Sequence, residues 1–334
     1  MKNFGLQFFA LLLLFTGAFF LASWIIPMAV NSDSVDDGAG HTRFSIQVVL
    51  KAKAAPPDFW RIVEQGIDVA SEEFQVSCEV TGPTIESDID GQIKLVRAAI
   101  AKKPDAIILA ACDYERLVEI CVEAERAGIP VVVVDSDVAY ENRVCFVGTD
   151  NYELGYAIGV LVNDAIKSGE RFGAMAHVES SFTAIERVRG LMDGVNNPDL
   201  TMAALEHCEG SADISYEKTK QMLIDNPDIT CMVGLNETSA LGICRALEDL
   251  GLDGQIKVIS CDSSEAQIKY MEKGTIEAFV IQNPFNMGYL SVEAAVMALE
   301  GRKVESVINT GSVLITKETM GTPENQKLLF PFTD

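Results

Sequence analysis

KPDAIILAACDYERLVEICVEAERAGIPVVVVDSD, residues 103–137, holds one complete strand–helix–strand unit. Residues 106–110 form a continuous apolar run, 114–127 place apolar residues at helical spacing and close on Gly128, and 130–134 form a second apolar run. Strands that are apolar along their whole length are covered on both faces, as in a parallel sheet with helices on either side. The second run ends on Asp135. Three other apolar runs end in the same way: 231–235 on Asn236, 257–261 on Asp262 and 278–281 on Gln282. In an open parallel sheet, ligands bind beyond the carboxyl ends of the strands. These four groups are therefore placed to converge on a cleft. Asp, Asn and Gln are hydrogen-bonding groups without nucleophilic character of their own, which suits holding a hydroxyl-rich small molecule better than breaking one.

The alternation extends in both directions. Upstream lie a strand at 44–50, a helix at 59–73 with Ile62, Val63, Ile67 and Ala70 on one face, a strand at 76–80 and a helix at 88–102. Downstream, a strand at 144–147 is followed by a restart at Asn151. Helices are expected there at 152–167, 183–195, 215–225, 237–250 and 264–273, with strands at 172–177, 202–207, 229–234, 256–261 and 277–281. A last helix at 285–300 precedes a short strand near 312–315. The 334 residues are too many for one ordinary core and suit two. The predicted fold class is α/β, with two doubly wound parallel-sheet lobes.

Residues 3–32 carry no charge, and 4–30 are almost wholly apolar. That length crosses a bilayer, which takes roughly 20 residues. The basic flank, Lys2, is N-terminal, and Asp33, Asp36 and Asp37 follow the segment. This predicts an N-terminal transmembrane helix with the remainder outside the cell or in the periplasm. A cleaved signal segment is the rival reading, although the apolar region is long for one and Pro27-Met28-Ala29 makes a poor cleavage site. No cysteine lies nearby for lipid attachment. Residues 1–30 are read as the anchor or signal segment and 31–43, polar and rich in Gly, Ser and Asp, as a linker.

A net charge of −23 argues against nucleic acid and anionic membrane surfaces as partners. The eight cysteines form no C-x-x-C pair and three lie inside apolar strands, so they read as small buried hydrophobes. ESDIDG at 86–91 looks like the start of a calcium loop, but Arg97 stands where the bidentate Glu is required, so Asp88 reads as a helix cap. No dinucleotide fingerprint, phosphate loop, nucleophile elbow or metal spacing of His41, His177 and His207 is present. No metal, cofactor or enzymatic activity is expected.

KPDAIIL (103–109), AGIPVVVVDSD (127–137), FVGTDNYELG (146–155), ERVRG (186–190), GLNETSALGICRAL (234–247), VISCDSS (258–264), QNPFNMGY (282–289) and VLITKE (313–318) together carry a family resemblance. In order and spacing, the chain resembles the type I periplasmic binding proteins of the ribose-binding, sugar-receptor group over roughly residues 44–320. The resemblance implies two lobes joined by a three-strand hinge, with crossings near 149–151, 282–284 and 310–311. Lobe one would be 44–149 plus 284–310, and lobe two 151–282 plus 311–330.

Carried over residue by residue, the resemblance implies ligand contacts from Asp135, Arg187, Asn236, Asp262 and Gln282. It also implies sugar stacking by Phe59 and Trp60. Ser136 stands where the family often has Arg, which puts ribose itself in doubt; Asp137 is a candidate to contribute in its place. Ala110-Ala111 and Pro57-Asp58 replace Asn-Pro-like pairs, which points to an altered hydroxyl pattern or a bulkier ligand. Asn236 has a second reading as a helix cap. Asp113, Tyr114, Ser181 and Phe182, at strand-end loops, and His177 are further lining candidates. The implied function is a membrane-tethered solute-binding protein that closes on a sugar or polyol and delivers it to an ABC permease. The alternative is a sugar sensor that presents its closed form to a membrane histidine kinase.

Overall fold

A computed structural model of the protein describes residues 43–53 and 58–330. The expected membrane anchor at 4–30 and nearly all of the linker lie outside those residues. Among the described residues no helix is long and apolar enough to cross a membrane.

The first sheet is built from β1 (Ser45–Val49), β2 (Ser77–Thr81), β3 (Ala106–Leu109), β4 (Val131–Val134), β5 (Phe146–Gly148) and a late strand, β11 (Val307–Asn309). Their order is β11-β5-β4-β3-β1-β2, all parallel. The second sheet repeats that plan with β6 (Arg171–Ala176), β7 (Thr201–His207), β8 (Ile229–Gly234), β9 (Lys257–Cys261), β10 (Ile276–Ile281) and β12 (Val313–Thr316). Its order is β12-β10-β9-β8-β6-β7, parallel except for the antiparallel edge strand β12. Two lobes of the same winding result.

Alternation along each strand decides which helices cover which face. In β1, Ile46 and Val48 turn toward α1 (Asp58–Phe74) and α9 (Pro284–Leu299), where Trp60, Val63, Ile67 and Met287 complete one buried layer. Val49 turns the other way, into a layer with Val96 of α2 (Ile89–Ala101) and Ile120 and Cys121 of α3 (Val118–Arg126). The second sheet is sandwiched in the same manner. One face holds α4 (Asn151–Ala165) and α5 (Phe182–Gly194), and the other α6 (Ala212–Asp225), α7 (Glu237–Leu250), α8 (Glu265–Lys273) and α10 (Pro323–Leu329).

α4 and α5 touch backbone to backbone. A Cβ on Gly190 would stand 2.1 Å from the Tyr152 carbonyl oxygen, and one on Gly155 2.2 Å from that of Arg187. Neither position tolerates a side chain, and the contact sets the height at which Arg187 leaves α5.

The chain passes between the sheets at three places: from β5 into α4, from β10 into α9 and from β11 into β12. The first and third passages are tied to one another by Thr310 N–H on the Gly148 carbonyl (2.9 Å) and the Thr149 hydroxyl on the Gly311 carbonyl (3.2 Å). One helix starts later than its periodicity suggested. Residues 114–117 form a turn before α3, because Asp113 Oδ1 accepts the amides of Glu115 and Arg116 (2.9 and 2.7 Å).

Candidate ligand-binding site

Two aspartates end corresponding strands of the two sheets, Asp135 after β4 and Asp262 after β9. Each keeps its amide on the ladder, Asp135 to the Val147 carbonyl (2.9 Å) and Asp262 to that of Val280 (3.1 Å). Both then turn left-handed, with φ of 60° and 66°. That conformation is uncommon for a residue with a side chain, and held strain of this kind concentrates at functional sites. The turn sends both carboxylates into one cleft between the lobes.

The cleft is lined by Lys51, Phe59, Trp60, Glu86, Asp135, His177, Thr183, Arg187, Asn236, Glu237, Asp262 and Gln282. Lys51 follows β1 and is 2% exposed. Its Nζ lies 3.4 Å from Glu86 Oε2 and donates to Thr183 Oγ1 across the cleft at 3.5 Å. Glu86 Oε1 accepts the indole N–H of Trp60 at 2.9 Å. Phe59 meets Trp60 edge to face, with centroids 5.1 Å apart.

On the other wall, Arg187 is fixed by Nε on Asn151 Oδ1 and Nη1 on the Leu235 carbonyl, both 2.8 Å, with Nη1 3.9 Å from Asp262 Oδ2. Asp262 accepts the Glu237 amide (3.1 Å) at the start of α7 and the Gln282 side-chain amide (2.6 Å). Asn236 is the N-cap of α7, in a capping box with Ser239. Its Oδ1 is used there and one N–H goes to Thr238 Oγ1 (3.0 Å), so cap and cleft roles coexist in one amide. His177 Nε2 lies 2.6 Å from Thr183 Oγ1, and its Nδ1 is buried with no partner among the described residues.

Burial dominates the electrostatics. Asp135 has its pKa pushed up to about 6 by burial, against the pull of Lys51 and Arg187. His177 is held well below the usual imidazole range by burial and then by those same two cations. It is neutral at physiological pH.

The lobes are shut. Tyr114 N–H donates to the Ser180 carbonyl (2.9 Å) and the Phe59 amide to Glu237 Oε2 (3.3 Å). The Phe182 ring lies 5.5 Å from that of Tyr114 and 5.9 Å from that of Phe146. The space remaining between the cleft side chains is about 30 Å³, room for a water or two. A sugar-sized ligand therefore enters with the lobes apart.

Phe59, Trp60, Asp135, Arg187, Asn236, Asp262, Gln282 and His177, all expected from the sequence, thus face a common space. Ser136 and Asp137 do not. Ser136 is fully buried, with its hydroxyl unpartnered among the described residues. Asp137 bonds the Val138 amide (2.8 Å) and pairs with Arg143 (2.9 Å) in a separate hollow beside the crossing at Thr149–Asn151. The left-handed turn at Asp135 separates it from both followers. Asp113 caps the turn before α3 and Ser181 caps the start of α5, while Tyr114 and Phe182 join the lobes at the rim. Lys51, Glu86, Thr183 and Glu237 were not expected. Lys51 ends an apolar strand run, the signal that singled out Asp135, and Glu237 adjoins Asn236. Glu86 was seen only through a calcium pattern that did not hold, although Asp88 does cap α2 by accepting the Gly91 amide (2.9 Å).

Comparison with known proteins agrees with this architecture. The periplasmic binding protein domain family matches residues 46–303. The D-ribose/D-allose-binding protein of Pseudomonas aeruginosa is 25% identical over 282 residues, 81% of this chain and 88% of that protein. A sugar transporter from Clostridium phytofermentans of known structure is 35% identical, with a TM-score of 0.77 over 82% of this chain and 99% of that one. An ABC transporter solute-binding protein from Agrobacterium vitis, solved with bound D-fucose, is 30% identical with a TM-score of 0.81, covering 85% of this chain and 99% of that one. The chain belongs to the periplasmic binding protein domain family, as a type I sugar-binding member of a group whose proteins hold their substrates without transforming them.

Proposed function

We infer that this protein captures a monosaccharide or polyol between its lobes, closes on it and presents the closed form to an ABC permease. The observation that carries this reading is the buried polar set of the cleft, drawn from both lobes and the crossing at Gln282. Arg187 retains donor capacity beyond its two structural bonds. Asp135 offers both carboxylate oxygens, and Gln282 Oε1 and His177 Nδ1 have no partner among the described residues. Such groups complement the paired donor and acceptor character of sugar hydroxyls, with Phe59 available to an apolar ring face. Closure follows from differential affinity: a ligand touching both walls binds the closed state better than the open one. D-ribose, D-allose and D-fucose, named with the relatives, set the starting panel.

The same reading places the apolar segment 4–30 in the membrane as a tether, with the lobes outside the cell or in the periplasm. An uncleaved tether of that length also favours a second reading, in which the closed form signals to a membrane histidine kinase. Titration calorimetry of the purified full chain in mild detergent against pentoses, hexoses, inositols and linear polyols tests the ligand class. Binding by at least one of them is expected. Reconstitution with the co-encoded membrane protein, read as sugar uptake or as kinase phosphorylation, separates the two partners.

A further inference from the structure

The charged groups of the cleft do not cancel. Asp262 is offset by Arg187, by the Gln282 amide and by the first amide of α7. Glu86 is offset by Lys51 and by the Trp60 indole. Asp135 draws on the same two cations, so that three carboxylates share Lys51 and Arg187 and one negative charge is in surplus. Asp135 is 3% exposed, and its side chain accepts no hydrogen bond from a described residue. His177 cannot serve as its counter-charge, because burial beside two cations keeps the ring neutral. A surplus carboxylate in a nearly shut cleft is costly. Two outcomes relieve the cost: the carboxyl keeps its proton, or a cation arrives with the ligand.

A neutral sugar offers Asp135 hydroxyl donors and leaves the surplus charge in place. An ammonium offers both donors and the missing charge, and a charge-assisted hydrogen bond is roughly twice as strong as a neutral one. The unpartnered groups of the cleft lean the same way, since Gln282 Oε1 is a buried acceptor. Selection for a cation also fits the −23 net charge of the chain, which draws cations toward it and repels anionic sugars such as phosphate esters.

We propose that the cleft selects a monosaccharide bearing a protonated amine, an aminodeoxy sugar, whose ammonium sits against Asp135 beside the Lys51–Glu86 pair. This rests on the sugar-binding reading and narrows it. The remaining hydroxyls would meet Arg187, Asn236 and Gln282 on the facing wall.

Competition calorimetry on the full chain near pH 7 tests it. The probes are 2-amino-2-deoxyglucose, 2-amino-2-deoxygalactose and 2-amino-2-deoxyallose, each beside its unaminated parent and its N-acetyl derivative. The amine is expected to bind at least about tenfold more tightly than both neutral partners for one stereochemistry or more. In Glu86→Gln, which removes a charge yet can still accept the Trp60 indole, the ratio of amine to parent affinity is expected to narrow. Parents that bind as well as or better than their amines overturn this proposal and leave the sugar reading standing. A wild-type preference that Glu86→Gln does not narrow removes the charge explanation and overturns it as well. If neither the amines nor their parents bind while another sugar or polyol does, this proposal falls alone; if no sugar or polyol binds, both readings fall together.

Discussion

Asp135 couples stability to function through its proton. The unfolded chain releases that proton in the usual carboxylate range, while the folded, ligand-free protein releases it near 6. Between those values the folded state holds the extra proton, so Asp135 makes stability fall as pH rises from about 4 to about 6. Asp135→Asn removes the buried charge, and Asn tolerates the left-handed backbone. Its ligand-free thermal unfolding near pH 7 should be raised, by up to about 3 kcal/mol in stability, and the fall between pH 4 and 6 should flatten. Calorimetric scans across that range check both, and ligand affinity should weaken in the same variant. Arg187→Ala and Asp262→Ala should each cost roughly 10-fold to 100-fold in affinity, the scale of a lost hydrogen bond to a charged group. Asp135, Asn236, Asp262 and Gln282 were legible as polar residues ending apolar runs. Glu86 was not, because it sits in a loop after β2, where only the folded course of the chain brings it to Trp60 and Lys51. Asp137 misled for a related reason: adjacency in sequence does not survive a left-handed turn.

Elements aim these side chains. Asn236 starts α7 and faces the cleft at once, so Asn236→Ala should lower stability by about 1 kcal/mol through the lost cap and weaken ligand binding as well. Chemical denaturation measures the first effect and calorimetry the second. Asn236→Ser, which keeps a cap oxygen, should restore stability without restoring affinity. The α4–α5 crossing makes a separate demand. A side chain at Gly190 would strike the Tyr152 carbonyl, so Gly190→Val should destabilise by about 1–3 kcal/mol or more. The displaced α5 should also weaken ligand binding through Arg187. Strand and helix succession could be read from periodicity because strands buried on both faces are apolar throughout. The start of α3 could not, since Tyr114 and its neighbours give up helical hydrogen bonds to Asp113 and to the opposite lobe. The need for glycine at 155 and 190 was also invisible, because it arises from a helix far along the chain.

At the scale of the molecule, two sheets of the same winding face each other across a hinge of three passages. Periodicity alone suggested two sequential halves. Nothing in it shows β11 returning to the first sheet and β12 to the second, because β11 has only three residues and pairing is decided by neighbours distant in sequence. Closure brings Tyr114, Phe182 and Phe146 together at the rim, so Phe182→Ala should raise the fraction of open molecules. Small-angle scattering should then show a larger ligand-free radius of gyration for the variant than for the wild type. The most direct measurement of the account is a titration of the full chain with pentoses, hexoses, their amino derivatives and polyols, repeated in Asp262→Ala and Arg187→Ala. The account predicts saturable binding of at least one sugar with a decrease in radius of gyration, and affinity roughly 10-fold to 100-fold weaker in each of the two variants. Binding that survives both substitutions unchanged, or no binding by any member of the panel, would contradict it.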